Sequence, residues 1–181
     1  MTERLPLPDV VNWPIFPFEG DLQVRELAPR LDHEYPRAGE PDGRPCRCGG
    51  EDDRTPIWSN DRWVLHHISF GEPGSGSPFP AYMLETVEHM DFGDLDDDMA
   101  AEFGLLCVRL ERAMMALGTV GRVHVNRWGD GGSHFHVWFL GRPKGAWQFS
   151  GFALPYWGFI LPAQDEATRD REAAQVAASL G

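Results

Sequence analysis

Two histidines that flank a single apolar residue stand directly after a glycine-rich turn in the second half of the chain. The segment 126–140 reads NRWGDGGSHFHVWFL, and its part 133–140 is predicted to be a strand. Because successive side chains of a strand point to opposite faces, His134, His136 and Trp138 are predicted to share one face. A neutral imidazole can act as a nucleophile or a general base near pH 7. The pattern therefore indicates nucleophilic or acid–base chemistry on one face of a sheet.

A second predicted strand, Arg122–Trp128, would bring more side chains to the same patch. His124, Asn126 and Trp128 alternate along it, and Gly129–Gly132 would join the two strands as a hairpin. Two other interpretations stay open: a sheet face that carries histidines by chance, and a metal site built on the same two histidines. The metal site is disfavoured, because it needs a carboxylate about four residues after the second histidine, where this chain is apolar.

The rest of the sequence predicts an α+β fold, an antiparallel sheet with one long helix and a C-terminal helix segregated from it. A hairpin is expected over 57–68 and another strand over 79–87. The long helix begins in the acidic run at 94–98, where carboxylates suit the helix dipole, and ends at Gly118. One or two short strands are expected within 145–161, and a helix within 165–180.

Three regions are expected along the chain. Residues 1–45 form a proline-rich arm, because proline recurs there and blocks long helices and central strands. Trp13 and Phe18 are too apolar for a free tail, so the arm is expected to pack onto the body. Residues 46–162 form the α+β domain, and residues 163–181 form the C-terminal helix.

Composition limits the classes of function. Over 181 residues the chain carries 16 Lys and Arg against 28 Asp and Glu, a formal net charge of −12. This balance disfavours general nucleic-acid binding and attachment to anionic membranes. No apolar run reaches the roughly 18 residues of a membrane span, and the start of the chain lacks a secretory signal pattern. Three cysteines do not make a disulfide framework, so a cytoplasmic location is expected.

The histidine segment resembles the signature of the histidine-triad (HIT-like) superfamily of nucleotidyl hydrolases and transferases, including its galactose-1-phosphate uridylyltransferase branch. The signature, His-φ-His-φ-His-φ-φ with φ apolar, corresponds to residues 134–140, with Trp138 at the third histidine position. Asn126, the glycine-rich turn and Ser133 also match the residues that usually precede this strand in the family. The resemblance covers residues 46–162 and implies a HIT-like antiparallel sheet with one long helix.

The resemblance implies a chemical role for each residue of the segment. The middle histidine, His136, would attack the α-phosphorus of a nucleoside phosphate derivative, and water or an acceptor phosphate would release the nucleotidyl-histidine. His134 would orient the neighbourhood or bind a metal. The groups that would hold the transferred phosphate are those of Asn126, Gly131, Gly132 and Ser133. The implied function is that of a nucleotide hydrolase or nucleotidyltransferase.

Trp138 stands where relatives have His or Gln, which hydrogen-bond the transferred phosphate. Its indole has a single donor and more bulk, so it is expected to border and narrow the phosphate pocket. Of the neighbours His66 and His67, one should face the nucleoside pocket, and His67 is taken as that residue. The expected ligand is a small-molecule nucleotide or phosphosugar. The alternatives to an enzyme are a non-catalytic nucleotide-binding module and a zinc-stabilised interaction protein.

The resemblance also implies a metal and a partner. Some relatives carry Cys-x-x-Cys before the first hairpin and bind structural zinc there. In this chain Cys46 and Cys48 stand one residue closer together, and His89 and His134 would complete the ligand set. The chemistry assigned to His136 does not require the metal. Because relatives pair through the long helix and the sheet edge, a homodimer is expected.

Overall fold

The computed structural model describes residues 5–49, 52–71 and 75–181 and confirms the predicted α+β class. Its strands are β1 (Trp58–Ser59), β2 (Trp63–His67), β3 (Ala81–Thr86), β4 (Val120–Asn126) and β5 (His136–Pro143). Its α-helices are α1 (Asp97–Ala116), α2 (Leu154–Ile160) and α3 (Glu166–Ala178). The strands form one antiparallel sheet in the order β1-β2-β3-β5-β4. Within the described ranges, none of the helices has the length and apolar character needed to cross a membrane.

The long helix α1 packs against one face of the sheet. The Asp96 side chain caps its N-terminus and accepts a hydrogen bond from the Met99 amide at 2.7 Å, while Asp97 and Asp98 complement the helix dipole. Gly118, at φ 75°, follows the last turn in the left-handed region. The core between helix and sheet includes Leu65, Leu84, Leu106, Leu110, Met114, Val137 and Phe139. The opposite face of the sheet carries polar side chains and, toward α2, a second apolar cluster against which Met83 and Trp138 pack.

Strand pairing decides which side chains share that opposite face. His136 pairs with Glu85, and Trp138 pairs with Met83 on one side and with Asn126 on the other. The residues that alternate with these on β3 and β5 are buried in the core with α1. We call this side of the sheet the histidine face, and its members include His66, Met83, Glu85, His124, Asn126, His136 and Trp138.

The strand predicted over 133–140 has a different start and end. It begins at His136 and continues to Pro143. The amide of Ser133 donates to the N-terminal arm instead of to a neighbouring strand. His134 therefore precedes the strand, and its ring bonds to the Thr86 carbonyl oxygen. The predicted start of the strand is thus three residues too early, although Phe135 lies in the core together with Val137 and Phe139.

The prediction of short strands within 145–161 is also wrong. The segment forms 3-10 helices at Trp147–Phe149 and Gly151–Ala153, followed by α2. Pro155 lies in the first turn of α2, where its missing amide hydrogen costs nothing, whereas in a sheet it would interrupt the hydrogen-bond ladder. Gly158 is buried against Phe70, so α2 lies close to the sheet.

The N-terminal arm contacts the body through aromatic side chains. Trp13 packs against Phe152 with ring centroids 6.3 Å apart, and Phe18 packs against Tyr156 at 6.0 Å. Both partners belong to the segment that ends in α2. Residues 1–4 of the predicted arm lie outside the described residues. The aromatic pairs hold the early part of the arm beside α2.

Candidate active site

His136 has both ring nitrogens close to carbonyl oxygens of its own chain. Nδ1 lies 2.8 Å from the His134 carbonyl oxygen, and Nε2 lies 2.8 Å from the Trp128 carbonyl oxygen. A carbonyl oxygen only accepts hydrogen bonds, and a neutral imidazole has one N–H, so a neutral ring can make only one of these bonds. A ring that donates from Nδ1 keeps a lone pair on Nε2. That lone pair becomes reachable when the Trp128 carbonyl moves aside.

A partly buried ion cluster lies beside His136 on the histidine face. Glu85, its cross-strand neighbour, lies 2.8 Å from Nδ1 of His66 and 2.9 Å from the Arg54 guanidinium. Burial raises the pKa of Glu85, but the hydrogen bond from His66 and the charge of Arg54 outweigh burial and hold the pKa below its ordinary value. Arg54 also pairs with Asp52 at 2.6 Å, and this hydrogen bond lowers the pKa of Asp52 to about 2. The carboxylates of Glu85 and Asp52 are therefore ionised at neutral pH, and both pair with Arg54.

His67 lies on the opposite face of the sheet. It pairs with Tyr82, with ring centroids 5.7 Å apart, and burial, followed by the charge of Arg169, lowers its pKa. The expectation that His67 faces the nucleoside pocket is therefore corrected, because its neighbour His66 is the one on the histidine face. Alternation alone left this choice open, since it says only that one of two neighbours faces the site.

The glycine-rich turn is held by the N-terminal arm. The Ala38 amide donates to the Gly131 carbonyl at 3.1 Å, and the Ser133 amide donates to the Ala38 carbonyl at 2.9 Å. In the described part of the chain, the amides of Gly131 and Gly132 donate no hydrogen bond, so both are available to an anion. The Ser133 hydroxyl donates to the Ala38 carbonyl at 3.2 Å. Ser133 thus faces the arm instead of His136.

Paired charges fix the arm to the turn. Asp91 lies 2.7 Å from the guanidinium of Arg37 and 2.7 Å from that of Arg127. Arg37 also pairs with Glu40 at 2.6 Å and donates to the Gly129 carbonyl at 3.3 Å. Sequence reasoning missed Arg37 because most of its partners are distant along the chain, and no local pattern marks such a contact.

The four side chains implied as metal ligands come together. Sγ of Cys46 lies 3.3 Å from Nδ1 of His134, and Sγ of Cys48 lies 3.4 Å from Nδ1 of His89. The two sulfur atoms are 2.9 Å apart, and the four candidate ligand atoms all lie within 4.8 Å of one another. Two thiols and two imidazoles are a donor set of tetrahedral structural zinc. The side chains present therefore fit this metal.

Hydrogen bonds orient both histidines of this cluster. Nε2 of His134 lies 2.7 Å from the Thr86 carbonyl oxygen, so Nε2 carries the proton and the Nδ1 lone pair points to the sulfur atoms. The Ser133 hydroxyl, whose proton goes to Ala38, accepts from Nε2 of His89 at 3.4 Å. Because Nε2 of His89 carries the proton in this bond, Nδ1 of His89 keeps a lone pair, as Nδ1 of His134 does. Metal-binding histidines are usually held by such a bond from the other ring nitrogen.

Two tryptophans stand beside His136. The rings of Trp128 and Trp138 pack edge to face with centroids 5.1 Å apart. Trp138 follows His136 by two residues, which corresponds to about 6.6–6.8 Å along a strand. Beyond Trp138 an aromatic cavity opens, and His124 and Asn126 line that cavity. Asn126, expected beside the transferred phosphate, thus lies next to Trp138.

Neither a family model nor a curated protein matches the sequence. Solved structures do match. A histidine triad protein from Bradyrhizobium japonicum is similar at TM-score 0.56 and 17% identity, over 72% of this chain and 93% of that one. A histidine triad protein from Sinorhizobium meliloti is similar at TM-score 0.55 and 16% identity, over 71% of this chain and 91% of that one. One from Marinobacter aquaeolei is similar at TM-score 0.54 and 16% identity, over 71% of this chain and 92% of that one.

These matches show a histidine-triad fold, which confirms the fold that the signature implied. At identities of 16–17% the likeness concerns the fold, and the chemistry has to be argued from the side chains of this chain. The similarity to the uridylyltransferase branch stays a prediction.

Proposed function

We propose that the protein is a nucleotide hydrolase or nucleotidyltransferase that acts at the α-phosphate of a nucleoside phosphate derivative, with His136 as the nucleophile. The observation that carries the proposal is the 2.8 Å contact between Nδ1 of His136 and the His134 carbonyl oxygen. Because Nε2 lies at the same distance from the Trp128 carbonyl oxygen, the proposal takes the neutral form that donates from Nδ1 and leaves the lone pair on Nε2. Nε2 faces Trp128, at the start of the turn that holds the unbonded amides of Gly131 and Gly132.

The reaction divides into two displacements at phosphorus. First, the Nε2 lone pair of His136 forms a bond to phosphorus, and the leaving group departs with the electron pair of its own bond and takes a proton from solvent. Water or an acceptor phosphate then attacks the phosphorus, the electrons of the phosphorus–nitrogen bond return to Nε2, and an attacking water gives up a proton to solvent. Throughout, the amides of Gly131 and Gly132 can donate to the charged oxygens. The Trp128 carbonyl must leave Nε2 before the first step, because it lies where the phosphorus would approach.

The test is turnover of adenosine 5′-phosphoramidate, followed by chromatography, with mass spectrometry for an adenylated intermediate. His136→Ala should abolish turnover and the mass increase without changing the thermal unfolding temperature. His33→Ala is the matched control, because His33 is exposed in the arm and packs against Tyr35. Equal turnover in His136→Ala and the parent protein would remove the catalytic proposal.

A non-catalytic nucleotide- or phosphosugar-binding module is the second candidate. Two observations favour it: Trp138 replaces a hydrogen-bonding residue, and the Trp128 carbonyl covers Nε2 of His136. If the protein is such a module, calorimetry should detect AMP binding, but no adduct should form and no substrate should be consumed. The two candidates therefore separate in the same mass spectra.

A structural zinc ion is proposed for Cys46, Cys48, His89 and His134. When bound, the metal would join the loop of the two thiols to the end of β3 and to the start of β5. It takes no part in the displacement at phosphorus. Because the His134 carbonyl bonds to His136, fixing His134 also fixes the proposed nucleophile.

A homodimer formed through α1 and the outer edge of β4 is proposed as well. Leu105 and Val108 are 61% and 47% exposed on α1, and β4 pairs only with β5 in the described sheet. An unpaired strand edge and exposed apolar side chains are both features that a partner can cover. Leu105→Glu should halve the mass seen by light scattering, and a parent protein that is already a monomer would contradict the proposal.

The unpaired thiols, a free Cys107 among them, support a cytoplasmic location.

A further inference from the structure

The N-terminal arm forms one strand-like contact with the glycine-rich turn. Ala38 and Gly132 are partners in an isolated parallel bridge. The Ala38 amide donates to the Gly131 carbonyl, and the Ala38 carbonyl accepts from the Ser133 amide. Because these bonds reach the two neighbours of Gly132, the amide of Gly132 itself points away from the arm. Within the described ranges that amide donates no hydrogen bond, so the arm holds it in place and leaves it free for an anion.

Arg37, the residue before this bridge, joins the arm to the turn through its side chain. Its Nη1 donates to the Gly129 carbonyl at 3.3 Å, and its Nη2 lies 2.7 Å from the Asp91 carboxylate. The same carboxylate lies 2.7 Å from the guanidinium of Arg127, which precedes the turn, and accepts from the Phe92 amide at 2.6 Å. Asp91 therefore ties the arm to the chain on the near side of the turn.

The charges of this network balance one another. Glu40 lies 2.6 Å from the Arg37 guanidinium, on which Asp91 also bears. With Arg127 the network holds two carboxylates and two guanidinium groups. Hydrogen bonds, first with Glu40 and then with Asp91, raise the pKa of Arg37. Arg37 thus has its partners already, and it acts on a phosphate only through the groups that it holds.

The arm approaches the turn too closely for a side chain at Gly39. This residue has φ 93°, and an added Cβ would lie 2.8 Å from Oγ of Ser133 and 2.5 Å from the His89 ring. Its amide donates to the Arg44 carbonyl at 2.8 Å, which closes the arm into a tight loop. The left-handed conformation and the close approach both favour glycine. The backbone of the arm is therefore fixed where it meets the turn.

We propose that Arg37 is a positioning residue of the phosphate site, which holds the glycine-rich turn so that the Gly132 amide donates to a phosphate oxygen. It acts through Asp91 and the Gly129 carbonyl. The inference rests on the proposed function for the phosphate at the turn, and it adds the arm, which precedes the segment 46–162 that resembles the family. A donor that is fixed in advance stabilises charge without reorganisation when the charge develops.

A merely structural role of Arg37 would give a different result. The Glu40 side chain contacts Arg37 and, among the described residues, no group of the turn. Glu40→Gln therefore removes an ion pair of Arg37 but leaves its contacts with Gly129 and Asp91. This variant is the matched control for Arg37→Gln. Arg30→Gln is a second control, because Arg30 is exposed elsewhere in the arm.

The experiment is a titration of the full chain with inorganic phosphate and, separately, with AMP. Calorimetry gives the affinities, and NMR follows the amide resonance of Gly132. Free phosphate reports on the turn alone, whereas AMP adds the nucleoside. In the parent protein both ligands should shift the Gly132 resonance. The same variants are then assayed for turnover of adenosine 5′-phosphoramidate.

Arg37→Gln should weaken phosphate and AMP by about tenfold, as expected for loss of a hydrogen bond to a charged group, and should reduce the shift of the Gly132 resonance. Arg37→Lys keeps the charge beside Asp91 but loses the fork that also reaches Gly129, so it should weaken both ligands by about threefold. Glu40→Gln and Arg30→Gln should stay within about twofold of the parent affinities, even if Glu40→Gln lowers the thermal unfolding temperature.

Three results would overturn the inference: a Gly132 resonance that neither ligand shifts in the parent protein, parent affinities in Arg37→Gln, or equal losses in Arg37→Gln and Glu40→Gln. If Arg37→Gln does not fold, Arg37→Lys carries the test, and parent affinities in that variant would overturn the inference as well.

These results are independent of catalysis. Phosphate binding that depends on Arg37, together with no turnover by the parent protein, would reject the catalytic proposal and keep the inference. Turnover that depends on His136, with phosphate affinity and the Gly132 resonance indifferent to Arg37, would do the reverse.

Discussion

The His134 carbonyl oxygen lies 2.8 Å from Nδ1 of His136, while the ring of His134 lies 3.3 Å from Sγ of Cys46. One residue thus contacts the proposed nucleophile through its backbone and the proposed metal site through its side chain. A substitution of Cys46 or Cys48 is therefore expected to alter the position of His136 through His134.

The first prediction concerns metal content. Purified protein should contain about one zinc ion per chain, the content of a single four-ligand site. Cys48→Ser should remove most of the zinc and lower the thermal unfolding temperature. Cys107→Ser is the control, because Cys107 lies in α1 outside the cluster and should leave the zinc in place. A well-folded protein that is free of metal after purification without chelators would refute the site.

The second prediction follows from the connection through His134. Cys48→Ser should lower kcat by about 10–100-fold, the range seen when the support of a metal ligand is lost. KM should change less, because the cavity and the turn amides remain. Cys48→His supplies another zinc ligand and should restore both metal content and kcat. If the metal is lost and kcat stays at the parent value, the two sites are not coupled.

The third prediction concerns Trp138. If the indole only narrows the phosphate pocket, Trp138→His and Trp138→Gln should raise kcat on simple nucleotide substrates by about tenfold, which is about 1.4 kcal/mol. If the indole instead serves a substrate with an aromatic group, the same changes should lower activity on that substrate. Steady-state kinetics on plain and indole-bearing phosphoramidates separates the two. No effect on any substrate would show that Trp138 does not border the site.

The fourth prediction is a loss of stability in acid. The folded protein holds the pKa values of Glu85 and Asp52 below their ordinary values, that of Asp52 at about 2. A carboxyl group with a lowered pKa stabilises the fold above its ordinary pKa, and this contribution is lost as the pH falls through the folded-state value. The free energy of unfolding, measured with urea, should therefore fall as the pH drops from about 5 toward 2.

The comparison is between Glu85→Gln and Glu88→Gln. Glu85→Gln should be less stable at pH 7, since Arg54 loses a partner, and should lose less stability in acid than the parent protein. Glu88 is exposed, so Glu88→Gln should follow the parent curve. Parallel acid curves for Glu85→Gln and the parent would mean that Glu85 does not carry this dependence.

The fifth prediction tests the packing of α2 behind the cavity. A Cβ atom at Gly158 would lie 2.6 Å from the Phe70 ring, so Gly158→Ala should destabilise the protein by about 1–3 kcal/mol in urea unfolding. Gly104→Ala is the control on α1, where an added Cβ meets no atom within 4 Å, and it should stabilise by about 0.5–1 kcal/mol. A neutral Gly158→Ala would show that α2 is not packed tightly on Phe70.

Local patterns in the sequence determined most of the fold. The acidic run and the apolar spacing after it predicted α1, because capping and helical periodicity depend on residues a few positions apart. Alternation placed His136 and Trp138 on one face, because the pleat of a strand has a period of two residues. The gathering of Cys46, Cys48, His89 and His134 and the HIT-like sheet followed from the resemblance, which compares short segments in order along the chain.

Only the tertiary structure decided the details that depend on distant contacts. The pairing of β2 with β3 placed His66 on the histidine face and His67 on the other, and either register is compatible with the local sequence. The arm residue Ala38 binds Ser133, so the strand starts at His136 and His134 turns toward the thiols. The positions of Arg54 and α2 likewise depend on contacts between residues that are far apart in the sequence. Such contacts join residues far apart in sequence, and their free energy depends on packing and charge in the assembled fold, so no short pattern encodes them.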